Sequence, residues 1–434
     1  MSKTRQILDT LREYESRNVV FIEPDGSWPI VWEHARDVHV WDADGKKYLD
    51  LTAAFGVAAA GHSNPQVVKA GQQQMARLLH AMGDVHPPAR KAELARALSR
   101  ITFERWSGGQ NTGKVIFGSS GFEAVESALK TAMLATGKRG VIAFEGAYHG
   151  LGYGALNATH SNFFRNPFHF QLREFANFVP FPSKVADLTA VEWSIRHFFR
   201  REWIGAILVE PLQARGGINV PPGEFLPLLR KLCDEHGALL ILDEIYTGFG
   251  RTGKWFAGEH AGVTPDLICL GKALTGGFPL SACVGHAGLM DKAWPASRGE
   301  AIHTSTFLGN PVGCAMALAQ IKEIEKLKLP EHSAKLGEFL LGELKAKLSS
   351  PKFQITVRGL GLMVGVELRT PEGQPATDAA MRIIKAMLQH GYILLPEGEH
   401  GNIIGFTPPL TITQAQLAKA VKTLAEVLTT DGHR

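Results

Sequence analysis

Between residues 114 and 274, short apolar runs alternate with longer stretches whose apolar residues recur every three or four positions. Val115-Ile116-Phe117 is the first run; Gly118 to Gly121 turn the chain, and a helix is predicted from there to about Ala135, stopped by Gly137. VIAFEGAYHG (141–150) is the next strand and turn, and IGAILVEP (204–211) is a strand ended by Pro211. An amphipathic helix follows, with Phe225, Leu228, Leu229 and Leu232 on one face, until Gly237. ALLILDEI (238–245) is apolar throughout before its two acids, and DLICLGKAL (266–274) closes on a lysine. Strands alternating with helices predict an α/β fold: a mostly parallel sheet covered by helices on both faces.

The flanks read differently. VHVWDADGKKYLDL (38–51) has the form of a hairpin about an Asp-Ala-Asp-Gly turn. Beyond residue 315 the pattern gives helices near 313–327 and 331–349, strands within 355–368, and helices near 376–390 and 413–430. The expected organisation is a large domain over 61–314 and a smaller α+β domain over 315–434, to which residues 1–60 contribute.

In a parallel sheet, ligands sit at the carboxyl ends of the strands. Ser120, His149, Glu210, Asp243 and Lys272 all fall there. A lysine at a buried strand end, between Gly271 and Thr275-Gly276-Gly277, is a candidate imine former, because desolvation exposes its nucleophilic amine. Asp243, closing an apolar run, suits a carboxylate that keeps a buried ring nitrogen protonated. Ser119-Ser120-Gly121-Phe122 opens a helix and reads either as a plain N-cap or as a phosphate seat. A phosphate seat, an imine lysine and a buried acid together point to pyridoxal 5′-phosphate (PLP), carried as a Schiff base by Lys272. No G-x-G-x-x-G follows a predicted strand, which argues against a nicotinamide oxidoreductase.

Composition adds little. Of 434 residues, 45% are hydrophobic and 20% charged, as in ordinary globular proteins. Lys and Arg (46) nearly balance Asp and Glu (42), so charge gives no argument for nucleic acid or membrane partners. No apolar run is long enough to span a bilayer. Cys233, Cys269, Cys283 and Cys314 lack C-x-x-C spacing, so no metal site is expected and reduced, buried thiols are. The polar N-terminus has no apolar signal core, and a cytoplasmic setting is the expectation.

At these residues the chain resembles the class III (ω-type) aminotransferases, PLP enzymes of fold type I. The similarity runs through FGSSGFEAVESALKTA (117–132), GAYHG (146–150), VEPLQARGG (209–217), LILDEIYTGFGRTGKWFAGEH (240–260), PDLICLGKALTGGFPLSA (265–282), STFLGNP (305–311) and FTPPLTIT (406–413). The resemblance implies Lys272 as Schiff-base lysine and proton shuttle, and Asp243 as partner of the pyridine nitrogen. It implies Ser120, Gly121 and the N–H of Phe122 on the phosphate, Tyr148 and Ile245 on the two ring faces, and His149 and Glu210 beside them. It also implies a homodimer with shared sites, Thr306 reaching the phosphate of the neighbouring subunit.

Three positions depart from the family pattern. Tyr246 stands where glutamine is often found against the ring hydroxyl. Gly405 replaces an arginine just before the F-T-P-P-L stretch. Arg215 stands in the loop where a glutamate would neutralise that arginine. The small domain is thus expected to carry no charge at this site, and Arg215 either binds an anionic group of the substrate or is solvated beside an open pocket for neutral amines. Trp28 and Phe55, from their place in the N-terminal block, are candidate pocket residues. The implied reaction is a ping-pong transfer of an amino group from an amine or amino acid to a keto acid or aldehyde. A racemase or epimerase of amino acids or amino-lactams is the competing reading, with Tyr148 and Tyr246 as candidates for its second acid/base. A non-catalytic protein of the same fold would be expected to have lost Lys272 or Asp243.

Overall fold

The computed structural model describes residues 2–24 and 26–431. At its centre is a seven-stranded sheet, in the order Gly113–Gly118, Ser281–His286, Leu267–Leu270, Leu239–Asp243, Ile204–Val209, Gly140–Phe144 and Ala176–Val179. Only Ser281–His286 runs antiparallel to its neighbours. Every residue of Ile204–Val209 is buried, because helices cover both faces. Ala124, Val125 and Leu129 of helix Gly121–Thr136 pack on one side, and Phe225, Leu229 and Leu232 of helix Phe225–His236 on the other. Each of the valine, leucine and phenylalanine side chains contributes about 1.5–3 kcal/mol of burial. Both helices stop at a left-handed glycine, Gly137 and Gly237, as their sequences predict.

The strands are shorter than their apolar runs suggest. The run 266–274 divides after Leu270, and Lys272 opens a tight turn, Lys272–Leu274, with φ +44°. A left-handed backbone at a non-glycine residue breaks the ladder and is costly, typically about 1–3 kcal/mol.

The two ends of the chain fold together. Trp32–Arg36, His39–Asp42 and Lys47–Asp50 form one small sheet, completed in parallel by Tyr392–Ile393. Gln354–Leu360, Met363–Arg369, Ile403–Phe406 and Leu395–Glu397 form a second, backed by helices Thr377–Gln389 and Gln414–Asp431. The expected domain boundary at 314/315 falls inside the helix Pro311–Lys326, which packs on Pro65–Arg77 and Ala89–Ser99. Asn310 caps that helix by accepting from the N–H groups of Val312 and Gly313, so it begins before the boundary. One hydrophobic core runs through both halves, from Phe117 and Ile268 to Leu336, Val364 and Phe406. All four cysteines are buried free thiols. Among the described residues no helix is long and apolar enough to cross a membrane, and no cluster of three or more potential metal ligands occurs.

Candidate active site

The carboxyl ends of the central strands gather the charged groups. Asp243 ends Leu239–Asp243 and is buried. His149 Nδ1 lies 2.7 Å from its Oδ2, and the Ile245 N–H donates to Oδ1 at 3.1 Å. The remaining ring nitrogen, His149 Nε2, is buried without a partner. Glu210 follows Ile204–Val209 and accepts from the N–H groups of Tyr148 (3.0 Å) and Ala214 (3.2 Å). Burial, with Asp243 adding repulsion, pushes its carboxyl up to about 7, against the pull of His149.

Lys272 Nζ stands 3.5 Å from the centre of the Tyr246 ring. Desolvation brings its pKa down to about 8, although Asp243, Glu210 and Glu397 pull the other way. That is the setting a nucleophilic amine requires. Gly271 and Gly121 flank the lysine because Ile245 fills the space beside both: a Cβ would stand 3.3 Å from Ile245 at Gly271 and 3.1 Å at Gly121.

Ser120 caps helix Gly121–Thr136, and the Glu123 carboxylate accepts from the N–H groups of Ser119 (2.5 Å) and Ser120 (2.8 Å) and from the Ser120 hydroxyl (3.3 Å). The Ser-x-x-Glu spacing of Ser120 and Glu123 is the sequence signal of such a capping box. Gly121 and Phe122 occupy the first turn, where N–H groups have no carbonyl one turn earlier to bond.

Tyr246 is held at both ends of its side chain. The hydroxyl lies 3.2 Å from Thr407 Oγ1, and the ring face covers Lys272. Thr407 in turn donates to the Thr52 carbonyl, next to a left-handed run through Ala53, Ala54 and Phe55 that packs on the Lys272 turn. Phe55 is half exposed on that run. Trp28 is not brought to the site: it packs on Val40, Tyr48, Leu388 and Ile393 of the small domain. It is partly buried by that packing, which its position in the chain did not reveal. Thr306 is exposed at the end of the loop that leads into Pro311–Lys326.

A cavity of about 250 Å³ is lined by Tyr148, His160, Phe164, Arg215 and Glu397 among others; of the groups predicted for the site it takes in Tyr148 and Arg215, and Lys272 and Asp243 are not in its lining. The Arg215 guanidinium lies over the Tyr148 ring, 5.5 Å from its centre. Glu397 corrects the expectation of an uncharged small domain: it is buried, and sequence reasoning missed it. Burial raises its carboxyl to about 7 even though Arg215 and Lys272 pull it down. A larger hollow of about 720 Å³, lined largely by apolar residues such as Leu129, Met133 and Trp294, contains none of the groups predicted for the site.

The family model for class III aminotransferases matches residues 22–428. The chain belongs to the class III aminotransferases. It is 36% identical to an acetylornithine aminotransferase of Methanosarcina acetivorans, over 96% of both chains. It is 37% identical to a putrescine aminotransferase of Pectobacterium atrosepticum, over 98% of this chain and 88% of that one. An ornithine aminotransferase of Toxoplasma gondii, described with PLP at its active site, superposes with a TM-score of 0.86 at 26% identity, covering 100% of this chain and 95% of the other. This class III aminotransferase therefore has fold type I and uses PLP. Its residues fit the cofactor. A desolvated lysine, a buried carboxylate held on two sides and the free N–H groups of a helix's first turn at Gly121 and Phe122 are the features such a ring and phosphate need.

Proposed function

We propose that the chain moves an amino group from an amine or amino acid to a keto acid with Lys272 as the catalytic residue, and that Arg215 binds the acceptor's carboxylate. The observation that carries the first part is the desolvated Lys272 in the same site as Asp243 and His149. Bound PLP supplies an electron sink. Asp243, steadied by His149 and the Ile245 N–H, would keep the ring nitrogen cationic. The Gly121 and Phe122 N–H groups, with Ser120, would hold the phosphate. Ile245 and Tyr148 would lie against the ring. Lys272 would carry the cofactor and, as a free amine, would move the proton from the donor carbon, as base and then acid. Its lowered pKa suits both roles near neutral pH.

The racemase reading needs a second acid/base across from Lys272. Neither tyrosine favours it: burial raises both hydroxyl pKa values, and the Tyr246 hydroxyl is engaged by Thr407. For Arg215, the support is a guanidinium on the cavity wall with no carboxylate within 4 Å among the described residues. Arg215→Ala should raise the KM for a keto-acid acceptor about tenfold or more, the usual worth of a charged hydrogen bond; an unchanged KM would remove Arg215 from the site.

A homodimer with Thr306 on the partner's phosphate is supported by the apolar surface around it. Met82, Val85, Ile302 and Phe307 are exposed, and Thr304 donates to Asp84 to hold the two loops together. Sedimentation should show a dimer, and Thr306→Val should weaken PLP retention. Four buried thiols are consistent with a reducing, cytoplasmic setting.

A further inference from the structure

Lys272 Nζ lies over the face of the Tyr246 ring, 3.5 Å from its centre, whereas the other cation-on-ring contacts described in the chain lie at 5.0–5.5 Å. An ammonium within about 6 Å of a ring centre is attracted to the face, most strongly where water is excluded. Among the described residues no carboxylate lies within 4 Å of this amine, and it makes no hydrogen bond. Asp243, Glu210, Glu397 and Arg215 therefore act on it only as charges at a distance. The ring is its close partner.

The fold sets both members of this contact against one segment. Ala53–Gly56 packs on the turn Lys272–Leu274. The same segment reaches the ring: a Cβ on Gly56 would stand 2.4 Å from Tyr246, so only bare backbone fits there. At the far end the Tyr246 hydroxyl lies 3.2 Å from Thr407 Oγ1, and Thr407 donates to the carbonyl of Thr52, the residue that caps the segment. The remaining side-chain surface packs on a buried cluster of Leu212, Ala214, Ile218 and Met363. A ring held by its hydroxyl, its edge and its apolar surroundings has little room to turn away when Lys272 changes charge.

We infer that Tyr246 is a positioning residue: its ring face seats the protonated amine of Lys272 and so sets how strongly that lysine holds the proton it moves. The face of an aromatic ring carries negative potential, which attracts an ammonium and does nothing comparable for a neutral amine. The contact strengthens when Lys272 takes up a proton and weakens when it gives one up. Burial favours the neutral amine, which is the nucleophile and the base. The ring favours the ammonium, which is the acid that returns the proton. Two opposed influences leave one lysine able to serve in both steps. This inference rests on Lys272 as the catalytic lysine of the transamination.

The test first reads the seat in the apoenzyme, where no transfer occurs. Acylation of Lys272 across pH is compared in the wild type, in Tyr246→Phe, and in proteins carrying phenylalanine with one, two or three ring fluorines at position 246. Fluorine draws electron density from the ring face at nearly constant volume, so packing and water exclusion are kept. Tyr246→Phe retains the face and should leave the inflection nearly where it is. The fluorinated rings should lower it in steps, by about one pH unit in total, the shift expected when a desolvated cation–π contact is lost. In the PLP enzyme the acid-side limb of the kcat profile, where Lys272 must be a free amine, should move to lower pH through the same series. Fluorinated rings that titrate with Tyr246→Phe overturn the inference. So does a fall in Tyr246→Phe as large as that of the fluorinated rings, which would put the effect in the hydroxyl. A stepwise apoenzyme shift with an unmoved kcat profile overturns the positioning role. Absence of transfer from every donor, with the stepwise shift intact, overturns the underlying reading instead.

Discussion

Lys272 should be far more reactive than an ordinary lysine before the cofactor is added. Its ammonium is desolvated at the end of Leu267–Leu270 and brought down to about 8, with Asp243 the foremost group opposing that fall. At pH 7.5 a group of pKa 8 is about one-quarter free amine, whereas an unperturbed lysine near 10.4 is about one part in a thousand. The difference is about 200-fold in reactive form. Competitive labelling of the apoenzyme with an acylating reagent, read by mass spectrometry against a lysine peptide in the same tube, measures it across pH. Labelling of Lys272 should rise through an inflection near pH 8. Asp243→Asn removes a negative charge that stabilises the ammonium, so the inflection should move to lower pH. A wild-type inflection above pH 10, or an upward shift in Asp243→Asn, would refute the reasoning from burial and charge.

Three further outcomes follow from the packing. Gly405→Ala should destabilise the protein by about 1–3 kcal/mol in denaturant unfolding, the usual cost of overpacking, because its Cβ meets Glu397 at 2.9 Å. Gly56→Ala should cost about 2–4 kcal/mol, since it combines φ +79° with a Cβ 2.4 Å from the Tyr246 ring; Gly108→Ala, with φ +61° and open space, isolates the backbone part at about 1–2 kcal/mol. Glu397 titrates near 7 in the folded chain and near 4.5 unfolded, so the unfolded state gives up its proton first as pH rises. Its contribution is therefore most favourable below 4.5 and is lost between 4.5 and 7. Glu397→Gln should gain stability relative to wild type across that window, by at most about 3 kcal/mol, and thermal unfolding at pH 5 and pH 8 should show the gap widening.

The catalytic half of the site was legible because its residues are fixed by local order. Asp243 and Lys272 each close an apolar run, and a run buried on both faces can only be a central strand whose end opens on the ligand crevice. What was hidden depends on contacts between distant segments. Nothing in the local order of Glu397-Gly398-Glu399-His400 marks one of its acids as buried, and the pairing with the neighbouring strand sets Glu397 over Gly405. Tyr246 meets Thr407 from 161 positions away, and its ring face over Lys272 could not be read from the local sequence. Trp28 packs partly against a cluster that joins Val40 and Tyr48 to Leu388 and Ile393, a pairing equally remote in sequence.

The loop that carries Arg215 is fastened to the small domain by its backbone. The Gly398 N–H donates to the Arg215 carbonyl at 3.0 Å, and Arg358 donates to the carbonyls of Gly217 (2.7 Å) and Ile218 (3.0 Å). Arg215 and Glu397, 182 positions apart by their numbers, are therefore mounted on one piece. On the proposed role of Arg215, the two segments would have to travel together. A transplant of residues 213–219 alone would arrive without its counterpart, whereas moving it together with 395–406 and Arg358 would carry both charges and the brace that spaces them. Redesign of the substrate range should accordingly exchange the paired segments as a unit and leave the machinery around Lys272 untouched.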